Sequence, residues 1–226
     1  MIIIQEIHQV IGVQELPFED SYRDTYLPAV ATDPDTRLLW FGWAPHGGGQ
    51  GYEAATITAA RDLGAWDRLV ERGRYGDLAA WATSIEAMRY SMQVHVCEVE
   101  NVVPVDFADL NSVPGTAGDH APSVLRLDSL RSADPRGVLA ALANAAASSA
   151  SGMLAPAGCW ASILGGLDRA PVHILYRIGS PDDLRDALGA ADPLHQWSGS
   201  LTVAAGLDDE PMETRLLRTA RWSPLV

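Results

Sequence analysis

The sequence predicts an α+β protein of two tandem ferredoxin-like units, each running β-α-β-β-α-β, that close a barrel within one chain. Three observations carry this. Alternating and helical hydrophobic periods recur in that order twice. A stretch over residues 101–122, with three Pro, two Gly and no sustained period, separates the two runs. The 226 residues, 47% of them hydrophobic, suffice for two small cores. The expected division is a first unit over 1–100, a linker over 101–122 and a second unit over 123–226. Each unit is an antiparallel sheet with helices on one face. The bare face needs a cover, and the second sheet supplies it.

In the first unit, residues 1–10 alternate as a strand, with Ile2, Ile4, Glu6 and His8 on one face. Phe18, Tyr22, Tyr26 and Val30 then recur at helical spacing, so a helix runs from Phe18 to Ala31 and ends at Asp33-Pro34-Asp35. Arg37–Pro45 is an aromatic strand, His46–Gly51 a glycine turn, and Tyr52–Arg61 the returning hairpin strand. A helical region follows from Gly64 to Tyr90, with Gly73 and Gly76 expected to divide it. Met92–Val99 closes the unit as a strand.

The second unit repeats the order. Ser123–Leu130 is a strand, and Asp134 or Ser132 caps a helix that has Pro135 in its first turn and runs to Ser149. Cys159–Leu164 and Val172–Ile178 form a hairpin around Gly165–Arg169. Helical segments begin at Ser180-Pro181 and Asp192-Pro193, and Glu213–Ala220 is the last strand.

Composition excludes several chemistries. All sixteen basic residues are Arg, so the chain lacks the Lys of a phosphate-binding P-loop, of a protein kinase and of any Schiff base. A net charge of −13 leaves no basic stripe for nucleic acid or for an anionic membrane surface. The start MIIIQEIHQV has no basic segment ahead of its Ile triplet, and no apolar run reaches a membrane span, so a soluble cytoplasmic protein is expected. Arg without Lys, with abundant Ala, fits a GC-rich bacterial genome. Cys97 and Cys159 form no metal spacing and are expected as buried small hydrophobes. No His stands at i, i+2 or i, i+4 to another, so no metal site is expected.

Gly158-Cys159-Trp160, Val172-His173-Ile174-Leu175-Tyr176-Arg177, Ser180-Pro181-Asp182-Asp183 and the tail from Arg215 through Trp222-Ser223-Pro224-Leu225 resemble the NIPSNAP family. Asp192-Pro193 resembles that family's Asp-Pro helix start. The first unit is only broadly similar. Leu175 stands where the family carries Trp, and Leu125-Arg126-Leu127-Asp128-Ser129 replaces its first-strand pattern. The resemblance implies the dimeric α+β-barrel fold. Proteins of that fold include cofactor-free oxygenases, isomerases, cyclases, haem proteins and members without activity, so the fold alone does not name a reaction.

The residues suggest where chemistry would sit. His173 and Arg177 share a strand face, as a base and an anion clamp; the plainer alternative is a partly buried His satisfied by its neighbours. Glu6 and His8, two apart on a strand, form a possible acid–base pair or a structural one. Trp40, Trp43, Tyr52, Trp160 and Tyr176, with His46 at the glycine turn and His95, would line a pocket for a flat aromatic ligand, or be ordinary core. The expected function is a small-molecule enzyme of bacterial specialised metabolism. It would carry out cofactor-independent cyclisation, isomerisation or oxygenation of a hydrophobic, polyketide-like substrate. The chain would act as a monomer with an internal pseudo-dimer or as a homodimer. The alternatives are a non-catalytic binding or scaffold protein, and a haem enzyme using one axial His.

Overall fold

The computed structural model describes residues 1–45, 51–99, 110–148, 154–163, 170–178 and 213–225. The expected helices at Ser180 and Asp192, the Gly165–Arg169 turn and His46 lie outside these residues.

Eight strands hydrogen-bond in the closed order β1-β3-β2-β8-β5-β7-β6-β4. They are β1 Ile2–Val10, β2 Thr36–Trp43, β3 Glu53–Ala60, β4 Arg89–Glu98, β5 Val124–Ser132, β6 Leu154–Ser162, β7 Ala170–Ile178 and β8 Glu213–Thr219. Read within each repeat, the order is fourth-first-third-second, the ferredoxin-like arrangement, and it occurs twice. The fold class expected from the sequence is the one observed.

By compactness the chain divides differently from its sequence repeats. One unit is Met1–Val96 with Asp106–Pro122 and Leu217–Val226, and the other is Cys97–Val105 with Ser123–Leu216. The tail, expected to finish the second unit, therefore belongs to the first. Arg218 and Thr219 pair with Trp43 and Gly42 of β2. The Trp222 ring packs tilted against Phe41, 5.0 Å between centroids, and the Leu225 amide donates to the Leu39 carbonyl. In the other unit, Cys97 and Glu98 at the end of β4 pair with Ser162 and Ala161 of β6.

In the first unit the helical segment after β1 runs through α1 (Glu15–Ser21), a π-helical turn (Tyr22–Tyr26) and α2 (Leu27–Val30). Pro28 has no amide proton for the carbonyl four residues back, and the wider turn absorbs that loss. The buried face of this segment supplies Phe18, Tyr22 and Tyr26 to an aromatic core with Phe41 and Trp222. α3 (Leu63–Tyr75) starts on Asp62, whose carboxylate accepts from the Ala65 amide at 2.8 Å. The break before α4 (Ala79–Glu86) falls at Gly76 and not at Gly73. A Cβ on Gly76 would come within 2.9 Å of the Arg72 backbone, whereas one on Gly73 would meet nothing.

In the second unit α5 (Pro135–Ser148) is capped by Asp134, which accepts from the Gly137 amide, while Ser132 accepts from the Asp134 amide. β6 begins at Leu154, ahead of the expected Cys159, because a register shift between Pro156 and Gly158 interrupts its alternation.

Candidate functional site

Strand alternation decides which side chains of β7 meet. Val172, Ile174 and Tyr176 pack with Cys159, Val138 and Leu139 beneath α5. His173, Leu175 and Arg177 therefore point to the helix-free face. There His173 stands in register with Ser129 of β5 on one side and Trp160 of β6 on the other. Its Nδ1 lies 2.8 Å from the Ser129 hydroxyl. His173 is 1% exposed and Trp160 fully buried, whereas Arg177 is exposed. The indole of Trp160 lies over Gly158, where a Cβ would come within 2.6 Å of the ring. Three strands thus deliver Ser129, His173 and Trp160 as one row.

The helix-covered face of the same sheet holds a buried ion pair. Arg126 Nε donates to Asp128 Oδ1 at 2.8 Å, and the Thr214 hydroxyl donates to the same oxygen. Tyr176 sits on this face, so it is not beside His173. Burial, then the Asp128 charge, pushes its phenol well above the usual range.

The first unit carries the more extensive polar network. His8 is fully buried on the helix-covered face of β1. Arg89 Nη1 lies 2.9 Å from His8 Nδ1. A guanidinium only donates, so Nδ1 accepts and the ring proton resides on Nε2. Nε2 faces the Tyr22 hydroxyl at 3.2 Å and the Thr56 hydroxyl at 3.3 Å. Those hydroxyls donate onward to Glu6 Oε2, at 3.4 Å from Tyr22 and 3.0 Å from Thr56. Arg89 also ion-pairs with Glu86. Burial, then the Arg89 charge, holds the His8 ring well below its ordinary value. Burial raises the Glu6 carboxyl. His8 has no lone pair left to act as a base. The Glu6/His8 pair, legible in the sequence as two positions on one strand face, is here the end and the middle of a relay. Tyr22, Thr56 and Arg89 complete it, and no motif announces them.

The other expected site residues are dispersed. Trp40 pairs with Ile57, and Ile57 with Gln5, so Trp40 is buried on the face away from the helices. Trp43 is on the opposite face, half-buried, with its ring 6.1 Å from Phe18. The two do not form one wall. Tyr52 is 43% exposed, has a φ of 61° and lays its ring on Gly12. His95 is half-buried on β4. Burial pushes the thiols of Cys97 and Cys159 up, so neither is an activated nucleophile.

Among the described residues, no group of three or more His, Cys, Asp or Glu is placed to hold a metal ion. No described helix is long and apolar enough to cross a membrane. An axial haem ligand must offer a ring lone pair. The network leaves His8 none. His8 therefore does not fit that role, and the two nitrogens of His120 face the carbonyls of Ala121 and Ser223, at 3.1 and 2.6 Å.

No family model and no curated protein matches the chain. Solved structures do. A candidate monooxygenase from Lactobacillus acidophilus NCFM aligns over 100% of this chain and 98% of its own, with a TM-score of 0.60 and 14% identity. An anthrone oxidase-like protein aligns over 97% of this chain and 91% of its own, with a TM-score of 0.64 and 11% identity. The chain has the fold of these proteins. The match spans both repeats, so the tandem arrangement is part of the likeness. A NIPSNAP domain protein from Burkholderia xenovorans aligns over 47% of this chain and 97% of its own, at a TM-score of 0.36 and 17% identity.

Proposed function

We propose that this protein is a small-molecule enzyme of oxygenase type acting on a hydrophobic, polycyclic aromatic substrate of the polyketide kind. The observation that carries the reading is the row Ser129–His173–Trp160 on the helix-free face of the second unit. A His held at Nδ1 by a hydroxyl has a fixed ring plane, which suits a general base, and an indole beside it suits a flat ligand. The two solved structures named as a candidate monooxygenase and an anthrone oxidase-like protein support the same class.

In this reading His173 removes a proton from a methylene between two aromatic rings, through which the resulting charge is conjugated to a carbonyl across the central ring. The carbanion reduces dioxygen by one electron, and the radical pair recombines into a C–O bond. Loss of water then leaves a new carbonyl, so one oxygen atom enters the product and the other leaves as water. The exposed Arg177 supplies a cation for the developing enolate oxygen. Ser129 is a positioning residue.

The test is oxygen uptake by the purified protein with an anthrone. Turnover that His173→Ala abolishes supports the proposal. Binding of the anthrone with no oxygen consumed overturns it in favour of the second reading, a non-catalytic binding protein. That reading draws on the burial of Leu125, Leu127, Leu175 and Trp160 around His173.

A further inference from the structure

The first unit carries a feature on its helix-covered side that is separate from His173. A cleft of about 460 Å³, within the size range of small-molecule sites, lies between α1, the end of β2 and the end of β8. Trp43 is its aromatic wall, and Glu19 fixes that wall. Glu19 Oε2 accepts from the Trp43 indole N–H at 2.6 Å, and its Oε1 accepts from Trp222 at 2.9 Å. Both carboxylate oxygens are thereby engaged, and the Trp43 ring is held in one orientation before any ligand arrives.

Arg218 is the cleft's cation. It is the register partner of Trp43, so the two side chains project side by side from the same face of the strand pair. Arg218 is exposed and forms no ion pair or side-chain hydrogen bond among the described residues. Several other arginines of the same unit differ. Arg221 pairs with Asp119, and Arg23, Arg61, Arg68, Arg72 and Arg89 each pair with an acid. Glu15 and Glu19 also line the cleft, but Glu19 is taken up by the two indoles and no ion pair joins Arg218 to either. Leu16, 72% exposed, with Pro45 and Pro122, gives the cleft apolar sides.

We infer that this cleft binds a planar aromatic compound carrying one anionic group, the ring against Trp43 and the anion on Arg218. A guanidinium recognises a carboxylate through two parallel N–H donors, and the indole face takes the ring. The inference is independent of the reaction proposed at His173.

The probe is 2-naphthoate, with 2-naphthalenemethanol as its neutral counterpart, followed by the indole N–H resonances of the folded protein. The Trp43 N–H should shift saturably with naphthoate. Affinity should fall about tenfold or more for the neutral compound and for Arg218→Gln. Leu16→Glu, at an exposed position, should weaken naphthoate binding similarly by crowding and charge. His173→Ala should leave it unchanged. Absence of a saturable Trp43 shift, or equal naphthoate affinity in Arg218→Gln and the parent, overturns the inference.

Discussion

Arg89 Nη1 meets His8 Nδ1 at 2.9 Å, and that contact sets the direction of every proton in the buried relay of the first unit. With Nδ1 accepting, Nε2 carries the proton, and the Tyr22 and Thr56 hydroxyls both end on Glu6. The relay begins at a guanidinium and ends at a carboxylate, with a neutral imidazole between them.

This arrangement makes stability depend on pH. Folding keeps His8 neutral well below the ordinary 6.5, while the unfolded chain protonates it near that value. The unfolded state therefore holds the extra proton below about pH 6.5, and stability falls as pH drops through that range. Glu6 acts oppositely. Its carboxyl is raised from 4.5, so the stability it contributes is lost as pH rises through its folded value. Urea unfolding from about pH 7 to 5.5 should show the parent losing stability faster than His8→Gln, by up to about 1.4 kcal/mol per pH unit. Equal slopes would refute the neutral-imidazole assignment. Glu6→Gln isolates the opposing contribution.

Removing the other end of the contact has its own cost. Arg89→Met keeps the buried side-chain volume but leaves Nδ1 of a fully buried His without its donor. A loss of about 1–3 kcal/mol in urea unfolding is expected.

Two glycines give opposite expectations. Gly158→Ala drives a methyl within 2.6 Å of the Trp160 ring, so it should cost about 1–3 kcal/mol and alter the near-UV circular dichroism. Gly73→Ala, inside α3 with open space at its Cβ, should raise stability by about 0.5–1 kcal/mol. Thermal melts of both variants check the pair.

The tail should behave as part of the first unit's core. Trp222 is 4% exposed, packs tilted against Phe41 and donates to Glu19. Trp222→Ala should destabilise by about 3–5 kcal/mol. Hydrogen exchange should show the lost protection on β2 and α1, with β7 little changed.

Ser129→Ala tests positioning at the proposed base. It removes the hydroxyl 2.8 Å from His173 Nδ1, so kcat with an anthrone should fall about tenfold or more. The pH–rate profile should shift while KM changes little. An unchanged profile would argue against a role for the Ser129–His173 bond in turnover.

Alternation and helical spacing are local properties, and they placed β1, the Phe18–Tyr26–Val30 stripe, the cap of α5 and the doubled order of elements in the sequence alone. The row Ser129–His173–Trp160 was half legible. His173 and Trp160 stood out by type, but Ser129 joins them only through the register of β5 on β7. Trp40 and Trp43 were both expected to line one pocket, and the pleat puts them on opposite faces. The relay around His8 was the least legible part, since Arg89 lies 81 positions away and only the tertiary fold brings its guanidinium to the imidazole. The tail shows the same limit. Its sequence resembles the end of the second repeat, but Trp222 is buried in the first, because the open place among Phe18, Tyr22 and Phe41 exists only once the chain has folded. Periodicity fixed the elements and their order. Long-range packing decided which polar groups share a buried volume, because burial and hydrogen-bond satisfaction depend on neighbours distant in the chain.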